Sequence, residues 1–114
     1  MMIRGILVAC CLPGLAVAQA YDGIYRPAGM DWWDCTSIGM DGGAVAIGGG
    51  ELQGVENACT LSDPVDVRAM SATLYDMECM GEGMSSTERV MLMTSDAGVY
   101  VIRDGFVAEW ERCE

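Results

Sequence analysis

The 114-residue chain carries 17 Asp plus Glu against six Lys plus Arg, a formal net charge of −11, and it has no His. All six cations are arginine, so Ser-His-Asp, Cys-His and Ser-Lys arrangements are excluded for want of a base. Such an acidic surface repels phosphate backbones and anionic headgroups; it points away from nucleic acid and lipid, and toward a cationic protein or toward solubility alone.

Residues 1–20 have the pattern of a secretory signal. Residues 1–4 are a short cationic start, residues 5–18 are apolar, and Ala18-Gln19-Ala20 is a small-x-small cleavage site. The apolar run is too short to span a bilayer comfortably. Leu7-Val8-Ala9-Cys10 is a competing lipobox that would lipidate Cys10, but the apolar stretch continues beyond it to a better cleavage site. The mature chain is expected to begin at Tyr21 and to form one domain over residues 21–114, exported to the periplasm or beyond. It would have no membrane contact after cleavage. Losing Arg4 with the signal moves the charge from −11 to −12.

Residues 21–25 are expected as a first strand, ended by Arg26-Pro27 because proline has no backbone donor and restricts the residue before it. A loop leads into Asp31-Trp32-Trp33-Asp34-Cys35. Neighbours on a strand face opposite sides, so one tryptophan is expected to pack on the domain, over a disulfide. The other would cap an end of the core or stand in solvent. An exposed indole beside carboxylates is a recognition anchor, which makes Asp31, Trp32, Trp33 and Asp34 the candidate partner-binding residues.

Residues 44–47 and 51–56 read as a hairpin about Gly48-Gly49-Gly50. A phosphate loop would need a Lys-Ser/Thr pair and a following helix, and neither is there. Gly54 interrupts the alternation, which predicts a bulge or a close backbone approach. Residues 57–61 form a short strand ended by Ser62-Asp63-Pro64. Residues 67–79 are the longest candidate strand, with Val67, Ala69, Ser71, Thr73, Tyr75, Met77 and Cys79 on one face. Met70, Ala72 and Leu74 lie on the other. Helical spacing fits residues 66–77 about as well, but the flanking hairpins favour strand. Gly81-Glu82-Gly83 is a turn into residues 90–110, which read as three strands joined at residues 95–98 and at Asp104-Gly105, a type I′ signal. In the last strand Phe106, Ala108 and Trp110 point one way, Glu109 and Glu111 the other.

Cys10 and Cys11 leave with the signal, and Cys35, Cys59, Cys79 and Cys113 remain as two disulfides, the staple that so small a domain requires. A zinc site is disfavoured by the lack of any C-x-x-C and of His. Sequential pairing, Cys35–Cys59 with Cys79–Cys113, closes loops short enough to form easily, staples the first hairpin region and the closing strands separately, and is the expected arrangement. The nested alternative, Cys35–Cys113 with Cys59–Cys79, is opposed only weakly by loop entropy.

Five methionines fall between Met77 and Met93. Soft thioethers suit Cu(I), but methionine is also an adaptable core filler, and core filling is the preferred reading, especially for Met70, Met91 and Met93 inside strands. Asp31, Asp34 and Asp41 offer oxygen ligands to Ca²⁺ without any twelve-residue loop pattern. Paired carboxylates could serve a glycosidase, but with 17 acids such a pair has almost no specificity.

Trp33-x-Cys35, Asp41-Gly42-Gly43, Glu56-x-x-Cys59, Cys79-x-Gly81-x-Gly83 and Arg112-Cys113 together resemble small uncharacterised exported disulfide-bonded proteins of Gram-negative bacteria, a resemblance that implies no activity. Ser71 and Tyr75, with Ala72 between them, resemble the Ser-Gly-x-x-Tyr loop of the periplasmic inhibitors of C-type lysozyme. That second resemblance implies a small, disulfide-bonded, eight-stranded barrel.

The expected fold is therefore all-β, an antiparallel barrel or sandwich of six to eight strands with two disulfides. The expected role is a non-catalytic exported binding or structural module with no cofactor. The alternatives are an acidic inhibitor of a cationic lysozyme-type enzyme and a Met-based Cu(I) carrier.

Overall fold

A computed structural model describes residues 20–113. Residues 1–19, on which the expectation of a signal sequence and Cys10 and Cys11 fall, lie outside the described residues. Eight strands follow one another: β1 Gly23–Pro27, β2 Val45–Gly48, β3 Glu51–Gly54, β4 Asn57–Asp66, β5 Ala72–Gly81, β6 Met84–Thr94, β7 Gly98–Arg103 and β8 Phe106–Arg112. Each pairs antiparallel with the next, and β8 returns to β1, closing a barrel. Of the two architectures expected, the barrel is the one adopted.

The interior follows from the register. Leu52 lies opposite Cys59 and Cys59 opposite Cys79; Leu92 lies opposite Val101 and Val101 opposite Ala108. Alternate positions of every strand therefore meet inside, and Tyr25, Leu92 and Val99 are wholly buried there. Truncating Leu92 to alanine would cost about 2–5 kcal/mol.

The two ends differ. Loop 28–44 and the turns at 55–56, 82–83 and 104–105 gather at one end. The Gly49-Gly50 turn, the connections 67–71 and 95–97, and both chain ends gather at the other. Gly49 and Gly50 both take positive φ (61° and 80°), the type I′ geometry that matches strand twist. The second end is plugged. The Tyr21 hydroxyl bonds the Thr73 hydroxyl at 2.9 Å, Thr73 donates to Asp66 at 3.2 Å, and the Tyr25 hydroxyl donates to the Tyr21 carbonyl at 2.5 Å. Thr73, a buried polar side chain, is thereby satisfied.

Several expectations need correction. The disulfides are nested, Cys35–Cys113 and Cys59–Cys79, not sequential. Cys59 and Cys79 are direct cross-strand partners, and closure of β8 on β1 brings Cys113 back beside Ile24, whose carbonyl accepts its N–H at 2.8 Å. Strand β4 does not stop at Ser62-Asp63-Pro64; it absorbs them as a bulge, with Asp63 at φ 53° and the register shifting between Ser62 and Val65. No such shift occurs at Gly54, where β3 ends; a Cβ there would overlap the Asn57 side chain, so in place of a bulge the glycine admits a close approach, by a side chain and not by backbone. The helix alternative over residues 66–77 gives way to strand from Ala72 onward. Residues 67–71 form the connection, so Met70 is not within a strand. At Asp104-Gly105 only Gly105 has positive φ (81°), so that turn is not type I′.

Candidate functional site

The residues singled out as partner-binding lie on the longest connection, loop 28–44. Arg26, on the outer face of β1, holds its start. Its Nε meets Glu111 Oε2 at 2.9 Å, its Nη1 donates to the Asp31 carbonyl at 3.2 Å, and its Nη2 lies 3.8 Å from the Asp31 carboxylate. The Cys35–Cys113 bridge ties the middle. At the far side the Glu56 N–H donates to the Gly39 carbonyl at 2.7 Å, and Ile38 makes a parallel bridge with Ala44. The chain folds so tightly here that a Cβ on Gly43 would overlap the Ser37 carbonyl.

Within this frame the four residues separate into different roles. Asp34 is a structural cap: its Oδ1 accepts the Thr36 and Ser37 N–H groups, each at 2.8 Å. Those two donors favour the ionised form and hold its pKa below the ordinary carboxylate value. Trp33 is buried, at 8% exposure, apart from the residues of the central core. Its Nε1 has no hydrogen-bond partner among the described residues, a cost of about 1–3 kcal/mol that the buried ring area must offset. Trp32 stands in solvent at 72% exposure, its ring centroid 5.7 Å from that of Trp33. Asp31 is beside it, with its side chain largely exposed. The division into one packed and one exposed tryptophan is as the sequence predicted. Asp34 belongs with the packed partner.

The structure also brings together residues that sequence reading passed over. At the open end of the barrel a cavity of about 270 Å³ is floored by Leu52, Met77, Val101 and Trp110 over the Cys59–Cys79 bridge. Glu88 and Arg103 meet at its rim, Oε2 to Nε 3.5 Å, and the Arg103 guanidinium lies 5.4 Å from the Phe106 ring centre. The signal was available: Glu88 shares the parity of Val90 and Leu92, so alternation places it on the inner face. On the neighbouring turns Glu56 and Glu82 share a hydrogen bond that requires a proton. That bond, with the charge of Glu82, raises the pKa of Glu56 above its ordinary value.

The methionines do not act as a unit. Met77 is a core residue at 2% exposure, but Met70, Met80 and Met84 stand in solvent at 52%, 68% and 75%, which overturns core filling for those three. Met77 and Met80 project from opposite faces of β5, so their sulfurs do not converge. Among the described residues no group of three or more His, Cys, Asp or Glu side chains is placed to hold a metal ion. Ser71 sits just before β5, and Tyr75 points inward from it, so the two do not share a loop. No protein-family profile, no curated protein sequence and no solved structure matches this chain.

Proposed function

We propose that the protein is an exported, non-catalytic module that binds a cationic partner protein, with Trp32 as the anchor. The observation that carries this reading is the pose of Trp32: it is 72% exposed, yet the ring is not free. It leans on Trp33, on a loop closed by a disulfide, an ion pair and a carboxylate cap. An indole held rigid in water gives up little conformational entropy when a partner covers it, which is how hot-spot residues act. Asp31 beside it supplies charge of the sign that steers a basic protein. Two intramolecular disulfides are a feature typical of exported proteins and support the compartment.

A C-type lysozyme is the cationic probe with which to test this, by calorimetry at low salt and at about 0.15 M salt. Binding is expected to persist at the higher salt and to weaken by about tenfold or more in Trp32→Ala, mainly through faster dissociation. Asp31→Asn should slow association instead and flatten its salt dependence. No heat at low salt removes this class of partner. Heat that vanishes at 0.15 M, or is unchanged in Trp32→Ala, shows only attraction between opposite net charges.

A further inference from the structure

The outer face of β3–β6 carries a feature that the loop does not explain. The register aligns Glu51 with Thr60, Thr60 with Glu78 and Glu78 with Thr87, a row running across four strands. The next row is Gln53, Ala58, Met80 and Ser85. Large apolar residues of these strands, such as Leu52 and Met77, point inward, and the outer rows alternate long side chains from β3 and β5 with short ones from β4 and β6. A groove of about 500 Å³ results, lined by Glu51, Ala58, Thr60, Glu78, Met80 and Thr87. It reaches Cys59 and Cys79, whose side chains are buried, so its floor there is strand backbone braced from behind by their disulfide.

We propose that this groove seats a lysine or arginine side chain of the partner protein, an inference that rests on the cationic partner proposed above. Neighbouring strands lie about 4.8 Å apart, so Glu51 and Glu78, flanking Thr60, are separated by about 10 Å, the width of a cationic head with a carboxylate on either side. Neither glutamate is ion-paired among the described residues. Four of the five described arginines are engaged elsewhere, Arg26 with Glu111, Arg89 with Asp76, Arg103 with Glu88, and Arg112 over the Tyr25 ring, and the fifth, Arg68, sits on the 67–71 connection and does not line the groove. The Asp76–Arg89 pair lies in the row beyond Glu78 and Thr87. Met80 gives its wall an exposed thioether against which an aliphatic stem packs. The Thr60 and Thr87 hydroxyls offer acceptors to the head's spare donors. Anions are repelled, and a purely apolar ligand would strand these polar groups. The groove also adjoins the loop: Glu51 lines a neighbouring hollow with Ile38, and the Gln53 side chain lies against Gly39. One partner can cover Trp32's loop and the groove together.

Hexa-arginine titrated into the intact ¹⁵N-labelled protein at about 0.15 M salt tests this by amide shift mapping. Shifts should concentrate at residues 58–60, 78–80 and 85–87, and the affinity should fall about three- to tenfold in Glu51→Gln/Glu78→Gln. Glu56→Gln/Glu82→Gln removes two acidic side chains from the turns and should leave it within about twofold. Thr60→Lys places a tethered ammonium in the groove and should abolish the localised shifts, while its own spectrum reports that the barrel is folded. Shifts spread over the acidic surface, equal losses in both double variants, or unaltered binding by Thr60→Lys would overturn the groove. Localised peptide binding without any lysozyme binding removes the lysozyme probe and keeps the groove. Lysozyme binding that Glu51→Gln/Glu78→Gln leaves untouched, with no localised peptide shifts, removes the groove alone.

Discussion

Asp34 and Glu56 are both exposed carboxylates, yet their surroundings drive their protons in opposite directions. Asp34 accepts two backbone N–H bonds and is held below its ordinary value; Glu56 faces Glu82 and is held above its own. For Asp34 the folded-state pKa is the lower one, so its support for the loop is complete above the unfolded value and is lost as pH falls through the folded value. For Glu56 the folded state binds the proton more tightly. Repulsion between the turns therefore opposes folding at neutral pH and is relieved as pH falls through the raised value. Carboxyl-detected NMR titration should place Asp34 below, and Glu56 above, the other Asp and Glu residues of their kind. Glu82→Gln should return Glu56 toward the ordinary range, and an unmoved midpoint would mean that Glu82 is not the cause. Neither shift was legible in the sequence. Asp34's cap depends on a turn closing three residues ahead, and Glu56 meets Glu82 only because β4 and β5 bring their turns together.

At the scale of elements, the strands were the readable part. Alternation is a local property: Ala108 and Trp110 share a face whatever the rest of the chain does, and so do Thr73, Tyr75 and Met77. Boundaries were read less well wherever a turn signal was absorbed, as at Asp63-Pro64, which the bulge in β4 accommodates. The two disulfides serve different elements. Cys59–Cys79 fastens two strands that already pair, across a separation of 20 residues; Cys35–Cys113 fastens an irregular loop to the barrel across 78. Chain entropy alone assigns them about 3.3 and about 4.5 kcal/mol respectively. Urea denaturation of Cys35→Ser/Cys113→Ser should therefore show the larger loss of stability, and a larger loss in Cys59→Ser/Cys79→Ser would contradict this ordering. The Cys35→Ser/Cys113→Ser variant should also lose the fixed contact between Trp32 and Trp33, because the bridge is what ties the middle of that loop.

For the molecule as a whole, the decisive event is closure of β8 on β1, and no local pattern announces it. Tyr25 opposite Arg112 and Pro27 opposite Trp110 are pairs between the two ends of the described chain. Pairing cysteines by loop length misses that meeting, since it treats Cys113 as distant from Cys35 when the barrel makes them neighbours. The candidate anchor was legible because it needs only the order of four residues. The groove was not, because Glu51, Thr60, Glu78 and Thr87 come from four strands and share a row only through their registers.

The nested bridges also set an order in time. In a chain delivered N-terminus first into an oxidising solution, Cys35 and Cys59 are each other's only choice until Cys79 arrives. That pairing must then be undone: the Cys79 thiolate attacks the Cys59 sulfur, forms the native bond and expels Cys35 as a thiolate, free to await Cys113. A reduced chain complete from residue 21 faces no such detour, since of its four cysteines Cys59 and Cys79 are the closest pair in sequence and lie opposite on adjoining strands. Oxidative refolding of the whole chain, quenched with acid and cut with trypsin, should first join the peptide ending at Arg68 to residues 69–89. Residues 113–114 should be added afterwards. An early bridge confined to the Arg68 peptide would mean that even the complete chain passes through the wrong partner. Without that outcome, this is a protein simpler to assemble all at once than from its beginning onward.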